Sequence, residues 1–595
     1  MGLKSSRPVN IVVCLAALGA VALRFYLLQD QKLSALSDAR YDSRLFIDLA
    51  RSIAASRWLG PYDERTLVKG PFYPLWIAAA HHLHLPLLKT QHALYVLSAG
   101  SAAWALARRL GSVGALFLFM VLLFHPTSYA AHTAMVLREY VFQSLAVLVV
   151  SLAVLLFQEG EAWGRGRMGL AVLLGLTLGC FWLTREESVW IVPFYAVAAG
   201  HFLWRRLGAG EDRKKDLFKS AFFVVIPLLV LGLTIGCVSA VNKAWYGIWE
   251  TVEVKSSFFR DAYGALSRVQ PEVFKPAVPV PRDVRMKLYD ASPSFRELRP
   301  FLEREDSVWT CALFYLKRAS MAGTLDPATQ RGIDFVLSHD ASGVWRAAWD
   351  KADKEPCDIY GAWFVWALRE AAAAAGHHKS APAARAYYEK LALEINAACD
   401  EKRIPCGPHR SSLAPPWRWD DLRPVALMFA RILHLGVSLE GLDLMPPYST
   451  GDAPSIALFR LMTREEPMPS RDGASLLEGS RRFHLLSRIA QLFRFVYPRV
   501  FYASLATHML ISLIFFRKAI SSATWGFAIA VLSSCAALAA ILSYIHVTSF
   551  PGIEPRYTAP LSTMTAIYIG LTLSSLRDLT RCRSHNGLDR PAANW

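Results

Sequence analysis

Long apolar runs alternate with short polar turns over most of this chain. A helix rises 1.5 Å per residue and bilayer hydrocarbon is about 30 Å thick, so runs near 20 residues read as membrane-spanning helices. Such runs cover residues 11–28, 90–107, 111–125, 140–157, 169–183, 189–204 and 217–241. After a long, more polar interval, three more cover 500–516, 522–544 and 557–573. The pattern predicts a mainly α, polytopic membrane protein with about 10 transmembrane helices. Residues 42–87 break the pattern. Leu45, Leu49 and Ile53 recur at i, i+4 and i+8, with Phe46 and Ala50 beside them, which makes a short helix with one apolar stripe. Asp42 stands where its carboxylate would N-cap that helix. Lys69-Gly70-Pro71 then interrupts the chain, and Phe72, Leu75, Trp76, Ala79 and Leu83 give a second stripe flanked by His81, His82 and His84. Two helices lying along the membrane surface, about 43–56 and 71–86, fit this better than a further span.

Charge sets the expected orientation. The chain has 595 residues, 53% hydrophobic, and a formal net charge of +17; mean hydropathy is +0.27. The basic residues cluster beside the apolar runs, as cytoplasmic loops do, and no basic stripe with interleaved aromatics points to nucleic acid. Lys4 and Arg7, Arg108-Arg109, Arg165 and Arg167, Arg205-Arg206 with Arg213-Lys214-Lys215, Arg517-Lys518, and Arg577, Arg581 and Arg583 all fall on one side if the Phe72 stretch does not span. If it does span, the loops at 108, 165, 205 and 214 change sides. The first run lacks a small-residue cleavage site and reads as an uncleaved span. The Met-Gly-Leu-Lys-Ser-Ser start matches a myristoylation signal only superficially. The expected organisation is an N-terminal core over 1–242 with seven spans, an external and mostly helical region over 243–483, three spans over 484–583, and a cytoplasmic tail from 584 to 595.

The external region carries the proline clusters at 276–281, 415–416 and 446–447. Its clearest helices are 362–376 and 383–398, the second with a core stripe of Tyr387, Leu391 and Ile395. Hydropathy rises again over 425–444, but Arg431, His434 and Glu440 interrupt it, which reads as a buried or interfacial helix rather than a span. Cys311, Cys357, Cys399 and Cys406 form an even set in this region, as an oxidising compartment favours. Cys399 and Cys406 enclose a short turn with Pro405, which fits a local disulfide and leaves Cys311 with Cys357. Cys14, Cys180, Cys237 and Cys535 lie in spans as packing residues. No cysteine or histidine spacing matches a zinc site.

Two interfacial helices after the first span, opened by an acidic residue, resemble the first external loop of the polytopic glycosyltransferases that use lipid-phosphate sugars. These are the GT-C superfamily, with the protein O-mannosyltransferases, the lipid A aminoarabinose transferases and their bacterial relatives. The matching residues are Asp42, Phe46, Leu49-Ala50-Arg51, Trp58, Gly70-Pro71 and Tyr73-Pro74. Glu554-Pro555-Arg556-Tyr557 with Pro560 is similar to an E-x-R-Y…P signature at the final spans of bacterial members. Many relatives carry adjacent acidic residues where this chain has Asp42-Ser43. The resemblance implies transfer of a sugar from a polyprenyl-phosphate donor to an unknown glycan, lipid or protein acceptor, in the bacterial inner membrane with the site on the periplasmic side. No cofactor or metal is expected. The acceptor hydroxyl must lose a proton and the phosphate must leave with its charge, which calls for a carboxylate base and fixed cations. Asp42 is the candidate base, and Glu139 in the second external loop is the second catalytic candidate. Arg556, with Glu554 and Tyr557, suits the lipid phosphate, because a guanidinium grips it through two hydrogen bonds. Lys69, Arg138, Arg185 and Glu186 complete the substrate-binding candidates.

Each of these residues also has a structural reading. Asp42 is a helix cap, Arg138-Glu139 an interfacial anchor, and Arg556 a snorkelling cation. Asp38 and Asp48 are rival bases. His81, His82, His84 and His92 cannot all converge on a metal at their spacing. Trp417 and Trp419 beside Asp420-Asp421 are either packing residues or a sugar-stacking platform. A transporter, or a non-catalytic scaffold for lipid or protein, is the competing reading of the whole chain.

Overall fold

The computed structural model describes residues 7–158, 164–207, 213–304, 309–354, 357–469 and 479–585. The basic start with Lys4 and the expected tail from residue 586 lie outside the described residues. The protein is a polytopic, mainly helical membrane protein. Six helices among the described residues are long and apolar enough to cross a membrane: Val9–Leu27, Leu87–Leu123, Glu139–Phe157, Asp216–Tyr246, Ala523–Thr548 and Pro555–Arg577. They cover seven of the ten expected runs, because one of them is two. Leu87–Leu123 has 37 residues and would be about 55 Å long if straight, nearly twice the hydrocarbon thickness. It breaks at Gly111, whose φ of +73° favours glycine, and the halves double back: Tyr95 Oη donates to Leu122 O at 2.9 Å. The Arg577 guanidinium closes the turn, donating to the carbonyls of Arg109 and Leu110. The other expected runs fall on the shorter or more polar helices Arg165–Trp182, Val192–Leu207 and Arg481–Ile514.

Glu139–Phe157 is the axis of the bundle. All of its 19 residues except Leu148 are buried, as an all-round apolar helix requires. The first helix is peripheral and turns Val12, Leu15 and Leu18 outward. It is tied in near its end by Arg24, 1% exposed, which donates to the Ser128 hydroxyl and carbonyl at 2.9 Å and to Tyr140 Oη at 3.0 Å, with His92 Nδ1 3.1 Å away.

The two short helices after the first span form at Ser43–Ala54 and Phe72–His82. The first is buried on two faces. Phe46, Ile47 and Ala50 join the core of the bundle, while Leu45 and Leu49 pack with Leu67, Val68, Tyr246 and Ala381. The second helix buries Tyr73, Pro74, Ile77, Ala78 and Ala80. This is not the stripe expected from the spacing: Ala79 and Leu83 are exposed, and Phe72, Leu75 and Trp76 are partly so. The helix is apolar all round, so one face packs on the Ser43–Ala54 helix (Phe46 and Tyr73 rings 5.0 Å apart). Ala79 and Leu83, off that face, stay exposed.

The region between the two sets of membrane helices is helical and has its own core, from Val252 and Phe259 through Leu288 and Phe364 to Leu391 and Ile395. Its helices Gly361–Ala374 and Ala381–Asp400 sit where periodicity places them. Disulfides join Cys311 to Cys357 and Cys399 to Cys406. Two buried polar contacts dock the region. Arg369, paired with Glu253 at 3.2 Å, donates to the carbonyls of Glu64 and Thr66 in the first loop, and Asp340 lies 3.1 Å from His546 Nε2 of the Ala523–Thr548 helix. The Leu422–Ser438 helix buries Met428, Ile432 and Leu435 and lays Gly436 against Leu561 of the last membrane helix.

Candidate active site

The nine candidate residues come from five places in the chain and meet at one end of the bundle. That end is where the first span stops, where Glu139–Phe157 and Pro555–His585 begin, and where Arg165–Trp182 gives way to residues 184–187. Asp42 stands at the N-cap position of Ser43–Ala54, but its side chain makes no capping bond. The expected cap is therefore wrong for the carboxylate. A charged donor outcompetes a backbone amide, and Asp42 Oδ1 accepts from Lys69 Nζ. Only the Asp42 carbonyl serves the helix, accepting from Phe46 N at 3.1 Å. The Lys69 ammonium sits 5.2 Å from the centre of the Phe46 ring and 5.9 Å from that of Trp366.

Arg138 grips Glu186 through both oxygens, at 2.8 and 2.5 Å, and donates to Thr184 O at 3.0 Å. Glu186 also accepts from Gly70 N at 3.3 Å. A side chain at residue 70 would collide with Leu183 O, so glycine is what lets the Lys69 loop reach the 184–187 loop. Arg185 pairs with Glu139 at 3.0 Å and with both oxygens of Glu187 at 3.2 Å. Its guanidinium lies 5.2 Å over the Tyr557 ring. Arg556 meets Glu554 at 2.7 Å and lies 4.8 Å over the same ring. Lys255 donates to Glu186 O at 2.8 Å. Five cations thus stand among five carboxylates: Lys69, Arg138, Arg185, Lys255 and Arg556 with Asp42, Glu139, Glu186, Glu187 and Glu554.

Access divides this network. The side chains of Arg138, Arg185 and Glu139 are 8% exposed, whereas Asp42 is 47% exposed and Glu554 and Arg556 are 32% and 24%. Asp42, Glu554 and Arg556 are therefore the solvent-open side of the network, over a floor of buried guanidiniums. Burial pushes the Asp42 carboxyl up, but Lys69, Arg556 and Arg138 outweigh it and hold it below the usual carboxylate range. Against their burial, Arg138 holds Glu186 down, and Arg185 with Arg138 brings Glu187 to about 2. Glu139 Oε2 has no hydrogen-bond partner among the described residues, and neither has the buried Nε2 of His132 nearby. Burial takes the His132 imidazole down to about 4.

Lys255, Trp366 and His132 lie outside the motifs and were not singled out from the sequence. Glu187 follows the candidates Arg185 and Glu186 directly in the chain. Of the rival bases, Asp48 pairs with Arg44 and Arg65, and Asp38 is exposed. His81 Nδ1 lies 3.0 Å from Leu461 O, while His92 belongs to the Arg24 network. No cluster of histidine, cysteine and carboxylate among the described residues suits a metal ion. Trp417 stacks on Tyr544, with ring centres 5.9 Å apart, and Trp419 points outward, 81% exposed.

No family model and no curated protein matches the chain. Among solved structures it is similar to the archaeal oligosaccharyltransferase AglB from Archaeoglobus fulgidus, in complex with an inhibitory peptide and a dolichol-phosphate. Identity is 12% and the TM-score 0.37, over 98% of this chain and 52% of that one. It is also similar to ArnT from Cupriavidus metallidurans bound to undecaprenyl phosphate, at 14% identity and a TM-score of 0.31, over 98% of this chain and 81% of that one. The apo state of that ArnT gives 14% and 0.31, over 93% of this chain and 77% of that one. The chain spans about half the length of the oligosaccharyltransferase.

Proposed function

We propose that this chain is an integral-membrane glycosyltransferase that moves a sugar from a polyprenyl phosphate to an acceptor hydroxyl on the external face of the membrane. One observation carries the reading. A half-exposed carboxylate, Asp42, stands beside the cations Lys69 and Arg556, at the end of the bundle where a lipid phosphate would sit. In the proposed step Asp42 takes the acceptor's hydroxyl proton. The acceptor oxygen bonds to the anomeric carbon, and the bond from that carbon to the phosphate oxygen breaks. The phosphate leaves with its charge against Lys69 and Arg556. Glu139 and Arg185 hold the floor of the site.

The Asp42–Lys69 pair supports an order of events. While Lys69 holds Asp42, the carboxylate is a weak base. A donor phosphate competes for Lys69, and as it takes the ammonium the carboxylate loses the partner that holds its pKa down. The base strengthens as the donor arrives. Native mass spectrometry of the purified protein with added undecaprenyl phosphate tests the reading. The wild type should retain one lipid phosphate and Arg556→Ala should lose it. Failure of the wild type to retain any at micromolar lipid would end the transferase proposal.

A further inference from the structure

One helix of the inserted region reaches the loop that carries Lys69. Trp366, Arg369 and Glu370 stand at i, i+3 and i+4 on Gly361–Ala374 and so share one face. Trp366 stacks on Tyr41, the residue before Asp42, with ring centres 4.7 Å apart and planes 20° off parallel. The centre of the same indole is 5.9 Å from Lys69 Nζ. Arg369 donates to Glu64 O at 2.8 Å and to Thr66 O at 3.4 Å, just upstream of Lys69. Glu370 accepts from Trp309 Nε1 at 2.8 Å and lies 3.9 Å from Arg40. One helix face therefore pins the chain just before Asp42 and just before Lys69, and supplies one of the two rings that flank the ammonium.

A lysine side chain has a flexible four-carbon stem, and its ammonium is a compact charge without a fixed direction. Something other than Asp42 has to hold it when the phosphate arrives. We infer that Trp366 and Arg369 are positioning residues of the donor site. Arg369 fixes the backbone of the Lys69 loop, and Trp366 with Phe46 confines the ammonium where Asp42 and a donor phosphate compete for it. The inserted region is then part of the phosphate site. This inference rests on the transferase reading.

The test is a double-mutant cycle on affinity for undecaprenyl phosphate, measured by lipid titration of the purified full chain. Trp366→Ala should weaken binding about three- to tenfold, the range expected for a partly desolvated ring beside an ammonium. In a Lys69→Ala background the same substitution should cost nothing further, because residues acting through one another are non-additive. Trp366→Phe keeps a π face and should stay within about twofold of wild type. Trp366→Leu fills much of the space without that face; it should bind like Trp366→Ala and serves if the alanine variant does not fold. Equal losses in the wild-type and Lys69→Ala backgrounds, or no loss in Trp366→Leu, would overturn the inference and leave the transferase reading standing. A wild type that binds no lipid phosphate removes both.

Discussion

Two assemblies of arginine and carboxylate lie within one loop's length of each other, and they differ in access. In the first, Arg369 and Glu253 are both 0% exposed. Tyr62 Oη donates to the same carboxylate at 2.8 Å, and backbone carbonyls take two more donors of Arg369. In the second, Asp42 is 47% exposed and its neighbours include more cations than it can satisfy. The chemistry of the side chains is the same. Desolvation decides what each can do. A closed pair has already lost its water, so breaking it leaves a bare buried charge, and no ligand can reach it. An open pair can exchange one anion for another at small net cost, which is what a phosphate site needs. The first assembly reads as a joint between the inserted region and the first loop, the second as a site.

The largest expected effect comes from the open assembly. Asp42→Asn keeps the shape of the side chain and one acceptor for Lys69 but removes the base. Transfer should fall about 10²- to 10⁴-fold, the usual contribution of a general base, with the unfolding midpoint within a few degrees of wild type. Transfer at the wild-type rate would remove Asp42 from the mechanism. Glu253→Ala should do the reverse. It strands Arg369 and should cost about 3–5 kcal/mol of stability, read as a lower midpoint of tryptophan fluorescence in detergent. An unchanged midpoint would mean that the joint does not hold the inserted region.

This contrast marks what the sequence could and could not disclose. Seven of the ten expected runs were legible because hydropathy is a local signal. That the nine candidate residues converge was legible for a related reason: each stands at or beside a helix end, and an alternating topology puts Glu139, Arg185 and Arg556 at one end of the bundle. Their partners were not legible. That Arg138 takes Glu186 while Arg185 takes Glu139 depends on crossings that no spacing reveals. Arg369 and Trp366 come from a helix some three hundred residues after Asp42, inside a region without motifs, and their side chains look like ordinary amphipathic content. The apolar face of Phe72–His82 was misread because a helix apolar on every side has no preferred stripe.

A third carboxylate sharpens the comparison because its partners among the described residues are backbone amides and one lysine. Glu465 accepts from Leu88 N at 2.8 Å, at the start of the Leu87–Leu123 helix. Burial raises its carboxyl to about 7, against the amides of Leu88 and Lys89 and the Lys89 ammonium. The folded state therefore holds this proton more tightly than the unfolded chain. Stability from Glu465 is complete below an ordinary carboxylate pKa near 4.5 and is lost as pH rises through about 7. Glu465→Gln should keep the acceptor, flatten that slope, and raise the midpoint at pH 8 by the equivalent of about 1–3 kcal/mol. His132 works in the opposite sense: held down near 4, it favours folding above an ordinary histidine pKa near 6.5, and that contribution is lost as pH falls towards 4. The comparison is therefore made between wild type and variant at each pH. A difference that does not change between pH 5 and 8 would mean that Glu465 does not titrate there.

The smallest effect is expected at Asp48, on the same helix that Asp42 opens. Its carboxylate accepts from Arg44 Nε at 3.1 Å and lies 3.5 Å from Arg65 and 3.9 Å from Arg51. By charge alone it resembles Asp42, one acid among several cations. The cation that holds each acid differs. Lys69, which holds Asp42, is 8% exposed, whereas Arg44, Arg51 and Arg65 are 26%, 54% and 25% exposed, so water shares their charge, and pairs of this kind are worth about 0–1 kcal/mol. None of the three belongs to the group with Arg138, Arg185 and Arg556. Asp48→Asn should therefore leave transfer within about twofold of wild type and stability within about 1 kcal/mol. If it abolished transfer while Asp42→Asn did not, the base would be the acid held by Arg44 and Arg65, and openness to solvent beside the buried Lys69 would no longer distinguish the site from the rest of the charged face.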